Sequence, residues 1–105
     1  NNQLTSLDVS GATALRGLWC HLNLITSLDV SQNTALNQLS CFDNQLTSLD
    51  LRNNNNTAFT IIKCNNNGNL TCINVDNAIY AYAYWITPHI NQAFDPWHYF
   101  SEDCP

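Results

Sequence analysis

A phrase of apolar residues returns along this chain at nearly constant intervals, and that recurrence limits the folds open to it. Between Leu36 and Leu51 the apolar residues fall at Leu36, Leu39, Cys41, Leu46, Leu49 and Leu51. The spacing is neither the sustained three-or-four step of a helix nor the strict alternation of a half-buried strand. It spells L-x-x-L-x-L-x-x-N-x-L, with Cys41 in the third apolar slot and Asn44 in the asparagine slot. Leu15, Leu18, Cys20, Asn23 and Ile25 repeat it upstream; Phe59, Ile62, Cys64, Asn67 and Leu70 repeat it downstream after one inserted residue. A linking phrase recurs beside it, as LTSLD at residues 4 and 46, ITSLD at 25 and LTCIN at 70, in steps of 21, 21 and 24.

A unit this short cannot bury its apolar side chains alone; it must turn once and stack on its neighbours. The pattern therefore predicts a leucine-rich repeat solenoid, with parallel strands about 4.8 Å apart and few helices. The expected bounds are a partial coil at 1–14, coils at 15–35, 36–58 and 59–76, and a C-terminal cap at 77–105. Equivalent residues then form columns. Asn23, Asn44 and Asn67 stand where the chain leaves each strand and can satisfy backbone groups turned inward. Cys20, Cys41 and Cys64 form an interior column of small buried thiols. No histidine or carboxylate shares that column, so a metal site is not expected there. The tract Asn53–Asn56 reads as a loop widened at the edge.

From residue 78 to 100 leucine disappears and tyrosine, tryptophan and phenylalanine take over. This reads as an aromatic cap over the last open rung. Asp76 and Asn77 are both candidate N-caps for a short helix through Trp85, ending before Pro88, while the alternating YAYAY also permits a strand. Cys72 and Cys104 bracket the segment outside the thiol column, and their pairing is the natural disulfide.

Charge narrows the function. The net charge is −5, with Arg16, Arg52 and Lys63 the basic residues, so no basic stripe is available for nucleic acid. Charged residues are 10% of the chain against roughly 25% in an average domain. That composition and five cysteines point to an extracellular, secreted or cell-surface setting. No apolar run is long enough for membrane insertion. His21, His89 and His98 have no nucleophile at a recognised spacing, and no phosphate loop or zinc signature appears; neither an enzyme nor a cofactor is expected.

The phrases ITSLDVSQNTALNQLSC and DNQLTSLDL resemble the cysteine-ladder leucine-rich repeats of bacterial surface proteins, internalin-like and closest in style to those of Bacteroidetes and flavobacteria. LTCINVDNAIYAYAYW with the terminal FSEDC is similar to the segment that closes such arrays. The resemblance implies extracellular recognition or adhesion. The opening Asn2-Gln3-Leu4 matches Asn44-Gln45-Leu46, so the chain is expected to be the C-terminal part of a longer protein. Leu4, Leu7 and Val9 would then line an uncapped edge open to self-association, even to a filament.

Residues flanking the inward Leu and Cys of each strand should face outward on a concave surface. These are Gly17, Trp19 and His21, then Gln38, Ser40 and Phe42, then Ile61, Lys63 and Asn65. Trp19, His21 and Phe42 are the expected centre of a site for a protein or a glycan. Asp8, Asp29 and Asp50 form another column, read either as carboxylates holding the turn or as a weak calcium site.

Overall fold

A computed structural model describes residues 3–85 and 92–105. Its strands are three residues long or shorter, because each turn of the chain offers only one inward side chain between two outward ones. β1 (Gly17–Trp19), β3 (Gln38–Ser40), β5 (Ile61–Lys63) and β7 (Gln92–Ala93) form one parallel sheet in that order. β2 (Ser27–Asp29), β4 (Ser48–Asp50), β6 (Cys72–Asn74) and β8 (Tyr99–Ser101) form a second parallel sheet. The chain passes alternately from one sheet to the other, so every connection between neighbours in a sheet crosses the second sheet.

Register puts like on like. Leu18 pairs with Leu39 and Leu39 with Ile62 in the first sheet; Leu28 pairs with Leu49, Leu49 with Ile73 and Ile73 with Phe100 in the second. These side chains meet between the sheets with Ile25, Leu46, Leu70, Val30, Leu51 and Val75, nearly all fully buried. Each contributes about 1.5–3 kcal/mol by leaving water. Cys20, Cys41 and Cys64 are buried free thiols, with the Cys41 and Cys64 sulfurs 3.6 Å apart. Burial pushes the Cys20 thiol up to about 12. The shared hydrogen bond with Cys64, and then burial, raises Cys41 well above its ordinary value. Neutral thiols packed as small apolar groups follow.

The asparagine column closes the turn after each first-sheet strand. Asn44 Nδ2 donates to the carbonyls of Cys20 and Cys41 at 3.0 Å and of Phe42 at 3.4 Å, and its Oδ1 accepts from the Ile25 N–H at 3.1 Å. Asn67 repeats the set on Cys41, Cys64, Asn65 and the Leu46 N–H. The residue just before each column member (Leu22, Asp43, Asn66) has φ between 56° and 59°. Asparagine and aspartate tolerate that left-handed turn; Leu22 is strained in it.

Two expectations change. The Asn53–Asn56 tract is no widened edge loop, for Asn53 and Asn56 are buried. Asn56 opens a 3-10 turn, Asn56–Ala58. Its side chain donates to the Leu51 carbonyl and to Asn53 Oδ1 and accepts from the Asp76 N–H. A buried polar group needs such partners, and Asn56-Thr57-Ala58 reuses the phrase Asn33-Thr34-Ala35 with two residues added ahead of it.

The tail differs as well. Beyond the aromatic packing, it adds a strand to each sheet, with Phe100 in the leucine column of the second. Between β6 and β7 lies α1 (Ala78–Tyr84), capped by Asn77, whose side chain accepts from the Tyr80 N–H. Ala81 and Trp85, four residues apart, supply its buried face. The Tyr82 hydroxyl accepts from the Phe100 N–H at 3.0 Å, so the helix covers the outer edge of β8. Cys72 and Cys104 are disulfide-bonded. The expected stop at Pro88 lies outside the described residues. At the opposite end Leu4 is exposed and Leu7 and Val9 are half-buried against the core.

Candidate binding surface

The outer face of the first sheet is built from the residues that alternate with the buried leucines. β1 contributes Gly17 and Trp19, β3 contributes Gln38 and Ser40, and β5 contributes Ile61 and Lys63. Strand pairing sets Trp19 beside Ser40 and Ser40 beside Lys63, with Gly17 beside Gln38 and Gln38 beside Ile61.

Trp19 is 55% exposed, and its indole lies back across Gly17. A methyl carbon built on Gly17 would stand 2.2 Å from Cζ3 and 2.6 Å from Cη2 of that ring. Gly17 does not have a positive φ, so it serves here as a seat for the ring and not as a backbone hinge. His21 and Phe42 stack at 4.6 Å with planes 5° apart, and both are half-buried. The expected triad of Trp19, His21 and Phe42 therefore divides: two rings cover each other, and Trp19 turns away toward Gly17. His21 Nδ1 is buried and has no hydrogen-bond partner among the described residues.

Ser40 departs from expectation. It is 3% exposed, a small side chain between the larger Trp19 and Lys63, so it is not an accessible contact. Gln38, Ile61, Lys63 and Asn65 are half-buried. Lys63 makes no ion pair among the described residues.

Of the acidic column, Asp29 and Asp50 lie on the second sheet and Asp8 in the segment ahead of β1. Asp8, Asp29 and Asp50 each accept from the N–H two residues on, at 3.0, 2.8 and 3.1 Å. This is a turn-holding geometry. Arg52 clamps both oxygens of Asp50 at 2.9 Å, and that bond holds the carboxyl below its usual range. A groove of about 270 Å³ runs over Ser27, Asp29, Ser48, Asp50 and Asn74; sequence reasoning passed over the serines and Asn74. Among the described residues no three histidine, cysteine or acidic side chains converge on a possible metal position.

Of the other histidines, His89 lies outside the described residues. The His98 side chain is 1% exposed. Its Nδ1 accepts from the Asp95 N–H at 3.2 Å, while Nε2 lies 3.2 Å from the Asp95 carboxylate. Asp95 in turn accepts from the Asn66 and Asn67 N–H groups at 2.9 and 3.0 Å, closing the end of the asparagine column. Sequence reasoning missed Asp95, because nothing near it in the chain announces a partner 28 residues away.

Burial, partly offset by Asp95, depresses His98 below its ordinary 6.5. The unfolded chain then binds the proton first. The stabilisation from neutral His98 is complete above 6.5 and is lost as pH falls through 6.5 toward the depressed folded value. Urea midpoints measured from pH 7.5 to 5 should decline in that window, and His98→Phe should flatten the decline.

Comparison with protein-family models, curated proteins and solved structures finds no match to this chain.

Proposed function

We propose that this chain is a non-catalytic extracellular recognition module, a leucine-rich repeat solenoid of the bacterial cysteine-ladder kind, which binds its ligand on the outer face of the first sheet. One observation carries the reading: Trp19, a large exposed ring on a strand whose neighbours are held in register. Large aromatic anchors dominate binding surfaces, and parallel strands backed by a buried leucine column hold such an anchor in place without ordering cost on binding. The disulfide fits an oxidising compartment, and no helix among the described residues is long and apolar enough to cross a membrane. End-to-end strand pairing into a filament is less favoured, because α1 and Tyr82 occupy the outer edge of β8.

The test is binding to arrayed peptides and glycans by the wild-type chain and by Trp19→Ala, with light scattering on both. The reading predicts a monomer and an array signal that drops at least about tenfold in the variant. Signal indifferent to Trp19→Ala, or concentration-dependent polymers, would overturn it.

A further inference from the structure

We propose that the ligand of this face is an anionic oligosaccharide, with one pyranose ring stacked on Trp19 and an acidic group held by Lys63. The inference rests on the recognition reading above and names its ligand class.

The posture of the indole is the first argument. A tryptophan that anchors a protein partner commonly projects as a knob into a pocket. Trp19 lies back over Gly17 instead, close enough that even a methyl group would collide with it. It is the Cζ3–Cη2 edge that meets Gly17, and at 55% exposure the ring keeps a face open to solvent. The open face presents the negative side of the ring quadrupole, which attracts the weakly positive C–H groups of a sugar ring laid flat on it.

The polar groups around the ring supply the second argument. Gln38 sits beside Gly17 in register, and its side-chain amide has no hydrogen-bond partner among the described residues. It offers a donor and an acceptor together, as sugar hydroxyls require. Lys63 stands two strands from Trp19 across Ser40, about 10 Å at ordinary strand spacing. That span exceeds a single ring and suits linked ones. Because Ser40 between them is small and buried, no side chain projects from β3 to block a chain of sugars lying across it.

Charge distribution supplies the third. The protein is acidic overall, yet the acids are unevenly placed. Asp29, Asp50, Asp76, Glu102 and Asp103 follow or belong to second-sheet strands, and Asp8 lies ahead of β1 in the same turn geometry as Asp29 and Asp50. On the first-sheet side, Asp95 is engaged by His98 and the Asn66 and Asn67 backbone. That leaves Asp43, in the turn after β3, against Lys63 on β5 and Arg16 just before β1. A lysine with no counter-ion among the described residues, on the less acidic side of an acidic protein, is a place for a carboxylate or sulfate.

The experiment compares wild type, Trp19→Ala, Gly17→Ala and Lys63→Gln on an array holding acidic glycans, their neutral analogues and peptides. Thermal melts verify that each variant is folded. Gly17→Ala keeps the tryptophan and unseats its ring, so loss of binding in that variant reads the posture of the ring and not merely its presence. Expected are signals on the acidic glycans, reduced at least about tenfold by Trp19→Ala and by Gly17→Ala. Lys63→Gln should cost about two- to fivefold and abolish the preference over the neutral analogues. Binding confined to peptides, yet sensitive to Trp19→Ala, would overturn the saccharide and leave the recognition face standing. Equal binding of neutral glycans would overturn the role of Lys63. No signal on either class would overturn both readings.

Discussion

Asn44→Ala is expected to destabilise the protein by about 3–5 kcal/mol, several buried groups each costing about 1–3 kcal/mol when left without a partner. Asn44 is 7% exposed and is the middle member of its column. Its amide donates to carbonyls of its own turn and of the preceding one, and its Oδ1 takes the Ile25 N–H. Alanine leaves those groups buried with no water to replace the amide. Asn44→Asp keeps the acceptor but loses both donors, so it rescues little. Asn65→Ala, a half-buried asparagine one strand further on, should move stability by no more than about 0.5 kcal/mol. Urea unfolding followed by circular dichroism separates the three.

Removing the Cys72–Cys104 bridge is the second large effect. It closes a loop with a sequence separation of 32, for which the chain-entropy relation gives about 3–4 kcal/mol. The tail it secures makes further contacts. The Cys104 N–H donates to Asn74 Oδ1 at 2.7 Å, Arg52 donates to the Glu102 carbonyl at 3.0 Å, and Glu102 accepts the Ala78 N–H at the start of α1. The double variant Cys72→Ala/Cys104→Ala should therefore melt well below wild type, and a reductant should lower the wild-type transition to match it. A melting temperature unmoved by reductant would show that these contacts suffice alone.

The interior was the most legible part of the chain. Sequence steps of 21 and 24 reappear as strand register, Leu28 on Leu49 and Leu49 on Ile73, because parallel stacking admits only pairings that keep apolar residues on one side. The tail was harder to read. Its connection carries α1, and Phe100 stands where other turns have leucine or isoleucine, so the period is hidden although the pairing continues. The asparagine tract misled because its composition looks like solvent-facing loop, while its hydrogen bonds depend on Asp76 and on backbone many residues away. On the candidate face, sequence supplied which residues alternate outward but not how their side chains lie. The collapse of Trp19 onto Gly17 and the pairing of His21 with Phe42 are rotamer choices made by neighbours on the sheet. The burial of Ser40 likewise depends on the size of the residues on either side of it.

In the fold described, Cys20, Cys41 and Cys64 face inward just after the neighbouring first-sheet strands β1, β3 and β5, while Cys72 and Cys104 are bridged. Titration with a chromogenic disulfide reagent tests this directly. The native protein should show no rapidly reacting thiol, and the denatured, unreduced protein should show three, the number of free cysteines. Rapid labelling of the native protein, or any other number after denaturation, would contradict it.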